Sequence, residues 1–313
     1  MREALYGDRG FYNVGGSAGR RGDFITSAEV GPLFGAVIAR ALDSWWRTLG
    51  EPDDFTVVEV GAGPGTLART VLAARPACAP RYIAVEISAA QRERHPAGVE
   101  SVATLPDGPI TGVVLANELL DNLPFRLAVF DGAWREAFVV GDPPAELLSA
   151  PFVAVPGVLP SSARHGSRAP LQDEAAGWVE TAKGILRRGR VVAFDYAVAR
   201  TAELARRPWR EWLRTYRGHE RGDHYLAEPG SQDITADVCV DQLPPPDVVR
   251  TQAQFLQLHG VAELVEEGRR GWAAAAAAPN IQAMMMRSRI REAEALLDPS
   301  GLGSFLAMEW EVA

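Results

Sequence analysis

The chain has 313 residues, with 32 Lys+Arg against 40 Asp+Glu. Its formal charge of −8 argues against a protein that binds nucleic acid without sequence preference. Hydrophobic residues make up 47% and charged residues 23%, which is ordinary for a globular protein and argues against intrinsic disorder. This length predicts roughly two domains, or one large domain.

Cysteine and hydropathy patterns limit the location of the protein. The two cysteines, Cys78 and Cys239, lie far apart and outside any metal-ligand spacing, so we predict neither a disulfide framework nor a metal site. The first twenty residues contain no apolar run typical of a signal peptide, and no window of about 18 apolar residues occurs. We therefore predict a cytoplasmic protein without membrane insertion.

The first helix is predicted within residues 28–49, where apolar residues recur at helical spacing. Thr26 and Glu29 resemble a capping box at its start, and Pro32 requires the helix either to begin near Gly31 or to kink there. We predict that residues 1–50 form an N-terminal helical cap region and that residues 51–313 form the main domain.

From residue 55 the patterns of strand and helix alternate, which is typical of a parallel sheet with crossover helices. Next, the segment 125–140 alternates in hydrophobicity around Asp131-Gly132, so it is predicted to be an inserted β-hairpin. The predicted elements before this hairpin are strands at 56–60, 81–86, near Val99 and at 111–118, and a helix at 66–75.

The second half of the chain is predicted to complete the sheet. Residues 141–170 are rich in Pro, Gly and Ser, which indicates a long connection. Residues 197–247 contain seven arginines between Arg200 and Arg221 and are predicted to form an insertion over the ligand-binding edge. The resulting fold is a doubly wound, mostly parallel, seven-stranded α/β sheet. Its remaining elements are a helix that Gly189 closes, strands at 191–196 and 305–312, and helices at 251–258 and 272–297.

The densest motif is the run EVGAGPGT at 59–66, between a predicted buried strand and a predicted helix. Its E-x-G-x-G-x-G spacing is the pattern of S-adenosylmethionine (SAM) pockets, whereas a dinucleotide fold would have a third glycine where Thr66 stands. Glu59 can bind the SAM ammonium, and Glu86, 21 residues after Gly65, can bind both ribose hydroxyls. We predict a SAM cofactor. A nicotinamide cofactor, and a plain turn beside a solvated Glu86, are the alternatives.

A second polar group, Asn117-Glu118-Leu119-Leu120-Asp121, follows the strand predicted at 111–118, at the edge where open α/β sheets bind ligands. Two carboxylates suit a guanidinium, whose planar donors accept bidentate partners and whose charge must be neutralised before a nitrogen can attack. We predict that Glu118 and Asp121 are catalytic and that Asn117 positions the acceptor or the cofactor. The alternative is that Asn117 and Asp121 cap a turn.

Other polar residues are weaker candidates for the site. Thr26 could contact the cofactor, although helix capping is the alternative. Asp233 could pair with an arginine of the insertion, and a solvated or internally paired charge cluster is the alternative there. The residues of this part of the chain that could face a substrate are Tyr196, Arg214, Tyr216 and His219.

Seven segments, taken in order, resemble the block motifs of the MidA-like SAM-dependent methyltransferases. This family includes a mitochondrial protein-arginine methyltransferase that acts in the assembly of respiratory complex I. Its members normally have a further helical segment before the equivalent of Met1, so we expect either a start further upstream or the loss of a segment that covers the cofactor. The seven segments are GDFITSAE (22–29), EVGAGPGTL (59–67), VEIS (85–88), ANELLDNLP (116–124), RTYRGH (214–219), PGSQDITADV (229–238) and QFL (254–256).

The resemblance implies a class I Rossmann-like fold and SAM as the cofactor. It places Gly61, Gly63 and Gly65 in the cofactor loop and Glu86 at the ribose. It also implies methyl transfer to nitrogen, with a protein arginine as the expected acceptor and a respiratory-complex subunit as one candidate partner. A small-molecule methyltransferase, or an assembly or scaffold protein with weak or absent catalysis, are the alternatives.

Overall fold

The computed structural model of the protein describes residues 1–13, 26–217, 220–278 and 280–313. The helices in these ranges are α1 (Arg2–Tyr6), α2 (Ser27–Val30), α3 (Pro32–Thr48), α4 (Thr66–Ala73), α5 (Ala89–Arg92), α6 (Asp173–Gly184), α7 (Thr201–Leu204), α8 (Gln252–Leu258), α9 (Val261–Ala275) and α10 (Ile281–Leu297). Short 3-10 turns lie at Leu120–Asn122, Trp209–Glu211, Val240–Gln242 and Leu302–Ser304.

The strands of the described ranges are β1 (Phe55–Val60), β2 (Arg81–Val85), β3 (Val99–Val102), β4 (Ile110–Asn117), β5 (Arg126–Phe130), β6 (Trp134–Val140), β7 (Ala145–Pro151), β8 (Arg168–Leu171), β9 (Leu186–Asp195), β10 (Ala197–Val198), β11 (Leu213–Arg217), β12 (Glu220–Arg221), β13 (Asp233–Ala236), β14 (Val238–Cys239), β15 (Val248–Thr251) and β16 (Leu306–Val312).

The main sheet, as far as the chain is described, has seven strands in the order β15-β16-β9-β4-β1-β2-β3. Strand β16 is antiparallel to both of its neighbours, and the other adjacent pairs are parallel. Successive residues of a strand point to opposite faces, so Val57 packs with α3, α4 and α8–α10, while Val58 packs with α6 on the other face. Helices therefore cover both faces, which confirms the predicted doubly wound, mostly parallel sheet.

The predicted hairpin is part of a larger inserted sheet. Strands β5 and β6 pair as predicted, and β7 and β8 extend them to the order β7-β6-β5-β8. The prediction of a long connection at 141–170 is therefore wrong for β7 and β8, whereas residues 152–167 between them form no helix or strand. Both added strands lie at sheet edges, where prolines such as Pro151 and Pro170 are tolerated, and these prolines hid the strand pattern in the sequence.

The N-terminal segment packs against the inserted parts of the chain. Leu5 and Phe11 share one buried cluster with Leu127 of β5, Trp212 and Ile234 of β13. Strands β11, β12 and β13 form a small antiparallel sheet within the insertion predicted at 197–247. The segment 1–13 is therefore held beside the carboxyl edge of the main sheet, and the division of the chain at residue 50 stays a prediction.

The first helical region is broken where the sequence predicted. Pro32 is the first residue of α3, after Gly31, which confirms the expected start. The prediction of a capping box is wrong, because the Thr26 side chain makes no capping hydrogen bond to α2. The Glu29 carboxylate instead accepts a hydrogen bond from the Thr66 hydroxyl at 2.6 Å.

Two other predicted helix boundaries are wrong. The helix predicted at 272–297 is two helices, α9 and α10, and the Asn280 side chain caps α10 by accepting from the Ala283 amide at 2.8 Å. Gly189 does not end a helix, since it lies in β9 opposite Gly112 of β4. A Cβ at Gly189 would lie 1.8 Å from the Gly112 carbonyl oxygen, so the close approach of these strands requires glycine.

Helices α3 and α4 cross closely at Gly35, so this position should not tolerate a side chain. A Cβ at Gly35 would lie 2.1 Å from Thr70 Oγ1 and 2.9 Å from the Thr70 carbonyl carbon. We expect Gly35→Ala to lower the free energy of unfolding by about 2 kcal/mol through overpacking. Urea unfolding followed by circular dichroism measures the change.

The matched control for this prediction is Gly177→Ala in α6. Gly177 is exposed, and a Cβ there would meet no atom within 4 Å. Because alanine favours the helix over glycine, we expect Gly177→Ala to raise the free energy of unfolding by about 0.5–1 kcal/mol. Effects of the same sign and size at the two positions would contradict the packing argument.

None of the described helices is long and apolar enough to cross a bilayer.

Candidate active site

A cleft of about 640 Å³ opens where β1, β2 and β4 end. This volume lies within the range of about 300–1,000 Å³ that is usual for ligand pockets. The cleft is at the edge where doubly wound sheets bind ligands, as the sequence predicted. Its lining includes the glycine loop, Thr26, Glu86, Asn117 and Glu118.

The glycine loop turns sharply from β1 into α4. Gly61, Gly63 and Gly65 have φ angles of 70°, 51° and 73°, in the left-handed region that favours glycine. Gly63 lines the cleft, and a Cβ there would meet no atom within 4 Å. A Cβ at Gly65 would lie 2.9 Å from Pro96 Cδ. Gly63 therefore leaves the backbone open to a ligand, whereas Gly65 is required by packing.

Glu86 follows β2 and is held against the glycine loop. Its Oε2 accepts from the Gly63 amide at 3.0 Å, and its Oε1 accepts from the Ser88 amide at 2.8 Å. The side chain is half-buried and lines the cleft. Since each carboxylate oxygen can accept a second hydrogen bond, this fixed carboxylate can bind the two hydroxyls of a ribose.

Glu59 lines the cleft although only 4% of the residue is exposed. Its Oε2 accepts from the Tyr82 hydroxyl at 2.7 Å. Burial raises the pKa of Glu59 to about 7, and the hydrogen bond from Tyr82 opposes this shift. A bound ammonium group would favour the ionised form, so the site suits a cationic amine.

Asn117 and Glu118 follow β4 and line the cleft together. Glu118 has a φ of 53°, which is rare for a residue with a side chain and marks a constrained backbone. Its Oε1 accepts from the Ser27 amide at 2.9 Å and from Asn117 Nδ2 at 3.2 Å. With Nδ2 placed there, Asn117 Oδ1 is buried without a hydrogen-bond partner among the described residues.

The surroundings of Glu118 favour its protonated form in the absence of ligand. Burial, together with the charge of Asp121, raises the pKa of Glu118 to about 8. The hydrogen bonds from Ser27 and Asn117 lower the pKa but do not cancel the effect of burial. A cation in the cleft would offset this cost and restore the ionised carboxylate.

Two further carboxylates lie buried next to this pair. Asp121 Oδ2 accepts from the Thr235 hydroxyl, while its Oδ1 is buried without a partner in the described part of the chain. Asp195 Oδ2 accepts from the amides of Leu120 and Asp121 at 2.9 and 3.2 Å. Burial raises the pKa of both aspartates, and the charge of Asp121 raises that of Asp195 further. Asp121 is only 1% exposed and does not line the cleft as described.

The candidate substrate residues that the structure describes are not part of the cleft lining. The Arg214 guanidinium lies 4.8 Å from the ring centroid of Tyr196 and donates to Asp237 at 2.8 Å. Tyr216 lies in β11 opposite Asp233. None of Tyr196, Arg214 and Tyr216 belongs to the cleft lining that the described residues form. His219 lies outside the described residues. Arg214 therefore fits the alternative of an internally paired charge cluster.

Two residues of the cleft lining, Tyr6 and Tyr12, were missed by sequence reasoning. The Tyr6 hydroxyl donates to the Asn122 carbonyl oxygen, and the Tyr12 hydroxyl donates to Asp233 Oδ1, each at 3.0 Å. Asp233 thus accepts from Tyr12, and from Asn122 Nδ2 at 3.2 Å, rather than from an arginine. The residues that these two hydrogen bonds join are separated in the chain by 116 and 221 positions, respectively, so no local pattern could indicate the contacts.

Metal binding was predicted to be absent. In the ranges that the structure describes, no group of three or more His, Cys, Asp and Glu residues is arranged to hold a metal ion.

The raised pKa values predict that the ligand-free protein loses stability as the pH rises. A carboxyl group with a higher pKa in the folded protein binds its proton more tightly there. The contribution of this group to stability is therefore complete at a pH below its ordinary pKa. It is lost as the pH rises through the pKa that the group has in the folded protein. The pKa of Glu59 rises from 4.5 to about 7, and that of Glu118 rises from 4.5 to about 8. The loss of stability is therefore expected between about pH 4.5 and about pH 8.

We therefore expect the Tm of the ligand-free protein to fall by several degrees between about pH 5 and about pH 8. Differential scanning calorimetry measures this slope, with Glu118→Gln beside the wild type. Glutamine does not titrate, so this variant should show a shallower fall. Identical slopes for the two proteins would show that Glu118 keeps an ordinary pKa.

Comparison with known proteins shows the family of the chain. Residues 37–260 match a family model described as "Putative S-adenosyl-L-methionine-dependent methyltransferase". The chain is 30% identical over 279 residues to "Protein arginine methyltransferase NDUFAF7 homolog, mitochondrial" of Drosophila melanogaster. The matched region covers 76% of this chain and 63% of that protein. The Mus musculus protein named "Protein arginine methyltransferase NDUFAF7, mitochondrial" is 27% identical over 280 residues, with the same coverage. The chain thus matches about 63% of the length of these two relatives.

Two crystal structures from Burkholderia thailandensis share the fold over the whole chain. One, bound to S-adenosyl-homocysteine, has a TM-score of 0.81 at 26% identity and covers 100% of this chain and 86% of that protein. The other, a native structure, has a TM-score of 0.80 at 24% identity with the same coverage, and it bears on the fold alone. The family match covers well over half of the chain, so this protein belongs to the SAM-dependent methyltransferase family that its motifs predicted, with SAM as its cofactor.

Proposed function

We propose that the chain transfers the methyl group of SAM to a guanidinium nitrogen of a protein arginine. The observation that carries this proposal is a pair of neighbouring acceptors in the cleft lining. Asn117 Oδ1 is buried without a partner among the described residues, and it lies beside the carboxylate of Glu118. An arginine side chain has five N–H donors and no acceptor, so it complements such a pair. The names of the Drosophila and mouse relatives support the same acceptor.

When bound, SAM supplies a methyl group on a positively charged sulfur. Glu118 holds the guanidinium and neutralises its charge, and Asn117 Oδ1 accepts one of its N–H groups. The nitrogen–carbon bond forms as the sulfur–carbon bond breaks, the sulfur becomes a neutral thioether, and the attacked nitrogen releases one proton. Glu118 accepts this proton, because its raised pKa makes it a stronger base than an exposed carboxylate.

Asp121 is proposed to act through the field of its charge. It is buried beside Glu118 without lining the cleft, so it favours a cation there without binding it directly. Tyr196 and Arg214 lower the pKa of Asp121, the first through a hydrogen bond and the second through its charge. We therefore propose Tyr196 and Arg214 as positioning residues. Substrate contact by Tyr216 stays a prediction.

The cofactor is proposed to lie along the glycine loop. Gly61 and Gly63 line its path, and Gly65 shapes the loop from outside the cleft. Glu59 is proposed to bind the ammonium group and Glu86 the ribose hydroxyls. Thr26, just before α2, and Asn117, at the end of β4, are proposed to add polar contacts. A respiratory-complex subunit as the partner, and a cytoplasmic location, rest on the sequence alone.

The test is methyl transfer from tritium-labelled SAM into a cell extract that has been separated into proteins and small molecules. We expect label in the protein fraction, and methylarginine after its acid hydrolysis. Label in the small-molecule fraction alone would support a small-molecule methyltransferase. SAM binding without transfer to either fraction would support an assembly or scaffold protein. Either of these results would contradict the proposed arginine acceptor.

A further inference from the structure

Two stacked tyrosines, Tyr6 and Tyr12, form one side of the cleft, and we refer to them as the tyrosine wall. Their ring centroids are 5.6 Å apart and their planes differ by 17°. Both residues are half-buried and belong to the cleft lining. Neither residue has a part in the chemistry derived above. The wall is therefore an aromatic surface for which that chemistry gives no role.

The tyrosine wall is held in place before any ligand binds. Tyr6 donates to the Asn122 carbonyl oxygen, Tyr12 donates to Asp233, and Asn122 Nδ2 donates to the same carboxylate at 3.2 Å. Burial and the charge of Asp233 raise the pKa of both phenols, so the hydroxyls stay protonated and keep donating. The edge of the Phe11 ring packs on Tyr12 with a centroid distance of 5.2 Å. Such preorganisation lowers the entropic cost of binding.

The position of the wall separates it from the expected path of the cofactor. In the sheet, β1 lies between β2 and β4. Glu86 and Ile87 follow β2, and Leu105 follows β3. The side of the cleft that suits the ribose and the base therefore lies at the ends of β2 and β3, on the other side of the glycine loop from β4. The wall is tied through Asn122 to the turn that follows β4, next to Glu118. It therefore lies on the acceptor side of the cleft.

We propose that the tyrosine wall is the subsite that binds the flat face of the acceptor guanidinium. The face of an aromatic ring carries partial negative charge, and a guanidinium is a planar cation that stacks on such a face. Glu118 and Asn117 bind the N–H groups at the edge of the same cation, so the two sets of residues recognise charge and shape from different directions. This inference rests on the proposed arginine acceptor. It adds Tyr6 and Tyr12 as a pair of residues that would favour an arginine side chain over an uncharged one.

The test is calorimetric titration with two probes at saturating S-adenosyl-homocysteine. The probes are acetyl-Gly-Arg-Gly-amide and its citrulline counterpart, which has nearly the same shape but no charge. Tyr12→Leu and Tyr6→Leu remove a ring, and Tyr12→Phe and Tyr6→Phe are matched controls that keep the ring and lose the hydroxyl. We expect each leucine variant to weaken binding of the arginine probe by about 5- to 30-fold. The phenylalanine variants should lose no more than about 3-fold.

Three further measurements make the outcome specific. The affinity for S-adenosyl-homocysteine should be unchanged in all four variants, which also shows that they are folded. Binding of the citrulline probe should be weak in the wild type and should change little in the variants. If the leucine variants bind the arginine probe as the wild type does, the wall is not the subsite, although the arginine acceptor stands. If they lose S-adenosyl-homocysteine instead, the wall belongs to the cofactor site. If the wild type does not prefer arginine over citrulline, both the wall and the proposed acceptor fail.

Discussion

Replacing Glu118 by glutamine is expected to reduce methyl transfer by about 100-fold or more, because the variant can neither neutralise the guanidinium nor accept its proton. The change is otherwise mild. A glutamine carbonyl oxygen can still accept from the Ser27 amide and from Asn117 Nδ2, as Glu118 Oε1 does. The affinity for SAM should therefore stay within about twofold, and calorimetry beside a transfer assay separates the two effects.

The pH dependence of the wild type gives a second readout of the same role. The carboxylate must be ionised to accept a proton, and burial raises its pKa to about 8 in the ligand-free protein. We therefore expect kcat/KM, which reports the free enzyme, to rise with pH up to this range. The rise should be lost in Glu118→Gln. Glu174→Gln is the matched control, since Glu174 also lines the cleft but pairs with Arg2 at its exposed mouth.

The role of Glu118 would be wrong if Glu118→Gln kept wild-type turnover with SAM bound. A loss of activity in Glu174→Gln as large as that in Glu118→Gln would point to a general effect of removing charge from the cleft. Loss of SAM binding in Glu118→Gln would instead place the carboxylate in the cofactor site.

Gly63→Val should weaken SAM binding strongly while the protein still folds. The backbone at Gly63 has a φ of 51°, which a β-branched residue adopts only with strain. The added atoms would project into the cleft, since a Cβ there meets no protein atom within 4 Å. Both effects act against a cofactor that must pass close to the loop, so we expect the Kd for SAM to rise by at least about 100-fold, which corresponds to about 2.7 kcal/mol.

Gly50→Val is the matched control for Gly63→Val. Gly50 also has a positive φ, of 86°, and a Cβ there also meets no atom within 4 Å. It lies just after α3, in an exposed position that does not line the cleft as described. We expect a comparable loss of stability in both variants and a loss of SAM affinity in Gly63→Val alone. Equal SAM affinity in the two variants would show that the loop does not contact the cofactor.

The candidate site depends on several parts of the chain that meet at one end of the sheet. Ser27 joins two of these parts, because its amide donates to Glu118 and its hydroxyl donates to Gln252 Oε1 at 2.8 Å. Ser27 and Gln252 are fully buried. The start of α2 is thereby fixed between the cleft and α8, which gives Thr26 its place in the lining.

The sequence alone was sufficient for the sheet, the family and the cofactor. Buried parallel strands appear as continuous apolar runs, and the turn from β1 into α4 requires glycines at fixed spacing, so both signals are contained in short segments. Glu59, Glu86 and the group from Asn117 to Asp121 stand directly at strand ends, where the topology by itself brings them to one edge.

The tertiary structure decided which of these groups can meet a ligand. It buries Asp121 behind the cleft, pairs Arg214 with Asp237, and brings Tyr6 and Tyr12 into the cleft lining. It also shows β7 and β8 where the prolines of the sequence indicated a loop. These outcomes depend on contacts between residues far apart in the chain, such as Tyr12 with Asp233, and on the burial that raises the pKa of Glu118. Neither a long-range contact nor the degree of burial of a polar group is specified by a local pattern, since both depend on how the whole chain packs.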